Sequence, residues 1–236
     1  MESKDAFYIR IRELERYNLT ERTQGLQTND KLKDKVSDNG AFCSFYGDTV
    51  SFLLEDRIRC RLKEVQQILY ASAPGVLAEP LREETFHMTL HDLTSGTDLG
   101  RIKERMENNE KEVRRIFRSL QGEHPKNIQM ISSYLFNMVN SSLVWILLPW
   151  GKEDYQELME LYQRFQEIAA LDYPFTPHIT LAYYRPGSYS GRQLDSLALM
   201  MQELNKERLY INLNLNSLVY CTFSDMNHYR ICQRLL

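Results

Sequence analysis

His87 and His178 each sit in a copy of the same short phrase. Thr85-Phe86-His87-Met88-Thr89-Leu90 and Thr176-Pro177-His178-Ile179-Thr180-Leu181 agree at four of six positions, sharing Thr, His, Thr and Leu. Polar and apolar residues alternate through both copies, so each reads as a strand with one wet and one buried face. Residues i and i+2 of a strand point the same way, roughly 6.6 Å apart. Each copy therefore sets an imidazole beside a hydroxyl. Imidazole titrates near neutrality and serves as acid or base, while a hydroxyl donates to an oxyanion. Two such pairs suggest one symmetric site with two titratable groups and two donors.

Other residues add less. His91 has the parity of His87 and Thr89, which places it at the cleft rim or against Asp92. On a strand His87 and His91 would be roughly 13 Å apart. Zinc ligands lie about 2 Å from their ion, so the two cannot share one. There is no HExxH, EF-hand loop or acidic cluster, and no metal or cofactor is expected. His124 reads as a solvated loop residue, and His228 in the last strand has no partner by spacing. No GxSxG elbow or Walker A sequence occurs. Gly187 to Gly191 reads as a turn with Ser190 capping the next helix, although it could also move over a ligand.

The elements around the two phrases repeat in order. A strand at 49–54 precedes a helix over 56–71, with Ile58, Leu62, Val65 and Leu69 at helical spacing. A loop with Pro74, Gly75 and Pro80 leads to His87, and a charged helix covers 99–120. In the second half a strand at 143–148 precedes a helix over 153–170. A loop with Pro174 and Pro177 then leads to His178, and a helix follows over 191–207. The histidines are 91 residues apart, and the preceding strands, taken at Leu53 and Leu147, are 94 apart. The match points to a duplicated unit folded as two lobes about a pseudo-twofold axis, with both His-Thr pairs facing one cleft. Residues 1–39 read as an irregular arm with a short helix near Ile9, packed on the body. Two strands, near 209–222 and 228–234, close the chain.

Composition bounds the partners. With 236 residues, 43% apolar and 26% charged, the chain suits one large domain or two small lobes. A net charge of −3 provides no global field for long nucleic acid, although a local phosphate site is compatible with it. Cys43, Cys60, Cys221 and Cys232 show no metal or disulfide spacing and read as reduced thiols in a cytoplasmic protein. The charged N-terminus lacks a signal-peptide core. Residues 127–150 carry no charge, but Asn137, Asn140, Ser141 and Ser142 interrupt them. A hairpin fits better than a membrane span. No membrane contact and a monomeric state are expected.

His87-Met88-Thr89-Leu90 and His178-Ile179-Thr180-Leu181 resemble the twin HxTx motifs of the two-histidine (2H) phosphoesterase superfamily, which includes LigT-like RNA cyclic phosphodiesterases. The stretch from Gly40 to Val50, followed by His87-Met88-Thr89, is also similar to a bacterial branch of uncharacterised 2H proteins. The resemblance covers roughly residues 40–236, read as a single bilobal domain. It implies an α+β fold of two pseudo-symmetric lobes, each an antiparallel sheet with helices outside, and a cleft between them. It also implies metal-independent cleavage of cyclic or 2′-linked phosphodiesters. His87 and His178 would be acid and base, and Thr89 and Thr180 would bind phosphate oxygens.

Tyr183, just beyond Thr180 and taken to share its strand face, would stack on a base, hydrogen-bond phosphate or simply pack beside the cleft. Tyr46 and Arg185 are weaker candidates, Arg185 having the wrong parity for the cleft. The expected substrate is a nucleotide cyclic phosphate or an RNA-end phosphodiester. The alternative is a non-catalytic RNA- or nucleotide-binding module using the same cleft.

Overall fold

The computed structural model describes residues 2–20, 23–122 and 126–235; His124 lies outside them. In chain order the elements are α1 (Lys4–Leu14), β1 (Gly25–Gln27), β2 (Tyr46–Leu53), α2 (Asp56–Ser72), β3 (His87–Gly96) and α3 (Leu99–Gln121). There follow β4 (Ile128–Met138), β5 (Ser142–Pro149), α4 (Lys152–Gln166), β6 (His178–Tyr183), β7 (Ser188–Ser190) and α5 (Gly191–Leu204). The last strands are β8 (Tyr210–Leu213), β9 (Leu218–Asp225) and β10 (His228–Arg234). The fold is α+β.

Eight strands form one sheet in the order β10-β9-β2-β3-β6-β5-β4-β8, antiparallel throughout. It divides into two halves of like design. In each half the histidine strand is innermost, and the strand that precedes it in sequence is its neighbour. The halves meet at β3 and β6, so the two expected sheets are continuous. The helices brace the junction crosswise, with α2 touching β6 of the other half and α4 touching β3. The core lies between helices and sheet, around Trp145, Leu62, Leu69 and Phe165.

Several expectations change in detail. The uncharged 127–150 stretch is the β4–β5 hairpin, and no described helix is long and apolar enough to cross a membrane. Its turn residues Val139 and Asn140 both have positive φ, at 44° and 56°. Such values fit the two-residue turns that match strand twist, although a β-branched residue is strained there. The strand expected over 209–222 is two strands in opposite halves of the sheet, β8 at one edge and β9 next to the other. Near Asn214 the chain makes a 3-10 turn and crosses from β8 to β9. Gly187 to Gly191 is not a loose loop: β7 pairs with β1. As expected, Ser190 caps α5, with the Gln193 side chain reaching back to its N–H at 3.0 Å.

Residues 2–20 and 23–39 are built into the body. α1 buries Phe7 and Ile11, and farther along Leu19, Leu26, Leu32 and Val36 are buried as well. No disulfide joins the four cysteines.

Candidate active site

β3 and β6 share one register pair, Met88 with Ile179. Both side chains are fully buried, so their neighbours in sequence face the other side. Continued one residue each way, the antiparallel register sets His87 beside Thr180 and Thr89 beside His178. The four side chains thus mark a rectangle, imidazoles on one diagonal and hydroxyls on the other. All four line a single cleft of about 780 Å³. Among the described residues, neither threonine hydroxyl has a hydrogen-bond partner, so both are free to donate to a ligand.

The same device orients both imidazoles. His87 Nδ1 lies 2.6 Å from the Thr85 carbonyl, and His178 Nδ1 lies 2.7 Å from the Thr176 carbonyl. A carbonyl only accepts, so each Nδ1 carries a proton and each Nε2 is left for the cleft. Burial pushes both groups below the ordinary histidine range, and the two carbonyls and the Asp92 carboxylate act against that. A charge on His178 further disfavours a proton on His87, and the Lys35 ammonium does the same to His178. The pair therefore accepts one proton more readily than two.

Just past each threonine the strand alternation breaks. In β3, Thr89 pairs with Ser51 and His91 with Val50, so Leu90 is an extra residue. In β6, Thr180 pairs with Val144 and Ala182 with Leu143, so Leu181 is the extra one. Each is a β-bulge that puts two successive residues on the buried side. The carbonyls around the bulges are satisfied by Gln66, whose Nε2 donates to Leu181 O at 2.8 Å, and by Thr49, whose Oγ1 donates to His91 O at 3.1 Å. After each bulge the next side chain, Asp92 or Tyr183, returns to the cleft.

These bulges decide which candidates reach the site. His91 was expected at the cleft rim or against Asp92; the bulge turns it from the rim to the helix side, where it is buried with its ring 5.0 Å from that of Tyr162 on α4. Its Nδ1 donates to the Asp92 carbonyl at 2.6 Å. Asp92 holds the cleft position instead. Tyr183 does share the face of Thr180, although it lies three residues on and strict alternation would have turned it away. Tyr46 does not line the cleft, and Arg185 turns aside to donate to the Asp38 carbonyl at 2.6 Å. His228 has a partner after all, Asp225 at 2.7 Å.

Several cleft residues carry no sequence signal because distant elements bring them in. The Tyr229 ring, from β10, lies 5.1 Å from that of His87. The Tyr173 hydroxyl, from the loop before β6, is 3.5 Å from the Asp92 carboxylate. Asn29, Lys31 and Lys35 come from the N-terminal segment. That segment also braces His178. Arg10 on α1 donates to Thr176 Oγ1 at 3.1 Å and to the Phe175 carbonyl at 2.8 Å. Among the described residues, no three His, Cys, Asp or Glu side chains gather as a metal site.

No family model matches the chain, and no curated protein matches it in sequence. Among solved structures it is similar to a conserved protein of unknown function from Agrobacterium tumefaciens, with 16% identity and a TM-score of 0.67. That match covers 89% of this chain and 94% of the other. It is also similar to E. coli LigT complexed with 3′-AMP, with 15% identity and a TM-score of 0.48 over 80% of this chain and 97% of that one. Thermus thermophilus TT0787 gives 14% identity and a TM-score of 0.46 over 80% and 96% of the two chains. At such identities a likeness concerns architecture, and the chain has the α+β fold of the Agrobacterium protein.

Proposed function

We propose that the protein is a metal-independent phosphodiesterase that hydrolyses a nucleotide cyclic phosphate, or a 2′-linked or RNA-end phosphodiester, by paired-histidine acid–base catalysis. One observation carries the reading: two imidazoles, each with Nδ1 tied to a backbone carbonyl, offer Nε2 to one cleft from opposite corners of a His-Thr rectangle. A site that only bound nucleotide would not need two matched titratable groups. The twin HxTx motifs agree with this reading.

The chemistry follows from the geometry. One neutral imidazole takes a proton from water, whose oxygen attacks phosphorus. The other, as imidazolium, gives its proton to the leaving ribose oxygen, so the P–O bond breaks as the new one forms. Thr89 and Thr180 donate to the non-bridging oxygens as their charge grows. His87 and His178 both favour the neutral form in the free cleft, and a bound phosphodiester anion favours a proton on one of them. Opposite starting states give a bell-shaped rate profile.

The test is a panel of 2′,3′-cyclic mononucleotides, ADP-ribose cyclic phosphate and 2′,5′-oligoadenylate, assayed with EDTA present. Turnover of at least one is expected, with His87→Ala and His178→Ala each losing on the order of 10²–10⁴-fold. Unchanged turnover in either variant refutes the mechanism. Tight oligonucleotide binding without turnover across the pH range would favour the binding-module alternative.

A further inference from the structure

The lining of the cleft extends beyond the rectangle, and the N-terminal segment forms one wall of it. Lys31, Asp34 and Lys35 lie on that wall. The wall is fixed rather than draped. Leu32 and Val36 are buried beneath it, Asn29 N–H donates to the Asn140 carbonyl at 3.1 Å, and the Lys35 carbonyl accepts from Cys43 N–H at 2.9 Å. The Lys35 ammonium stands 5.0 Å from the ring centre of Phe45 and 5.9 Å from that of Tyr183. Two aromatic faces thus hold it at a set point with its N–H donors unspent. Among the described residues, no carboxylate forms an ion pair with it. Its field reaches the catalytic centre, since it disfavours a proton on His178. Lys31 and Asp34 are exposed whereas Lys35 is half-buried, so discrimination on this wall falls to Lys35.

We infer that Lys35 forms a second anion subsite, which takes a substrate phosphate other than the one attacked. A half-buried ammonium without a counter-ion, facing the same cleft as the reacting phosphate, is complementary to a second phosphate. The substrate class narrows accordingly. It is a nucleotide phosphorylated at a further position, as an RNA end is, rather than a nucleoside with a single cyclic phosphate. This inference rests on the phosphodiesterase reading above.

The experiment is calorimetric binding of two product-like probes, adenosine 2′-monophosphate and adenosine 2′,5′-bisphosphate, to the full chain. The wild type should bind the bisphosphate at least about tenfold more tightly. Lys35→Met should remove that advantage and leave monophosphate binding within about twofold, and Lys35→Arg should restore most of it. In turnover, Lys35→Met should raise KM more for a substrate with two phosphates than for one with a single phosphate. Equal affinity of the wild type for both probes overturns the subsite and leaves the phosphodiesterase reading standing. So does equal weakening of both by Lys35→Met. Failure of the wild type to bind either probe overturns the reading itself, and the subsite with it.

Discussion

An imidazole taken out of water is a poorer proton acceptor than one in it, and His87, His178 and His91 all lie below the ordinary range for that reason. The sign of the consequence is fixed. Between the depressed native values and the unfolded value near 6.5, the unfolded chain binds more protons than the native one. The stability these groups contribute is therefore present above about pH 6.5 and is lost as pH falls through that value. Urea unfolding at pH 7.5 and 5.5 should show a drop in the wild type. His87→Gln/His178→Gln should show a smaller one, because two of the titrating groups are gone. An equal drop in both proteins would mean that the pair is not desolvated in the native cleft.

The element that shapes the site is the bulge. Its effect is to bring Asp92 and Tyr183 to equivalent corners of the two halves, one anionic and one neutral. The halves are alike in backbone and unlike in charge. Asp92 favours the imidazolium form of both histidines. Asp92→Asn should therefore lower both, moving the acid limb of the kcat/KM profile to lower pH and reducing the protonated acid at neutrality. A profile that stays in place would show that Asp92 does not act on the pair. Elements with strong periodicity were legible in the chain: the four main helices, the β4–β5 hairpin, and both histidine strands with their neighbours. The bulges were not. Leu90 and Leu181 look like any inward residue of an alternating strand, and what makes them extra is that neither has a partner in the register with β2 or β5. Parity carried past them misplaced His91, hid Asp92, and left the inward position of Tyr183 without a reason.

At the scale of the molecule, sequence reading separates residues 1–39 from the body because they lack the repeat and the motif resemblance. It places the arm on the body but gives no measure of how deeply its side chains are buried. In the fold, Phe7, Ile11, Leu19, Leu26, Leu32 and Val36 of this segment are each 6% exposed or less. The Phe7 ring lies 5.4 Å from that of Tyr155 on α4. Burial of such a side chain stabilises by about 1.5–3 kcal/mol, so six contribute on the order of 10 kcal/mol. That is comparable to the whole stability of a typical domain, about 5–15 kcal/mol. The segment also holds the turn before His178 through Arg10 and supplies the Lys35 wall. We therefore expect the arm and body to form one cooperative unit. A chain spanning 40–236 should show no cooperative melt. A full-length protein nicked by a protease site inserted at the exposed Asp38-Asn39 turn should keep both pieces together through gel filtration and melt in one step. Release of the arm from a still-folded, still-active body would show that the segment is an appendage, and that the cleft is complete without it.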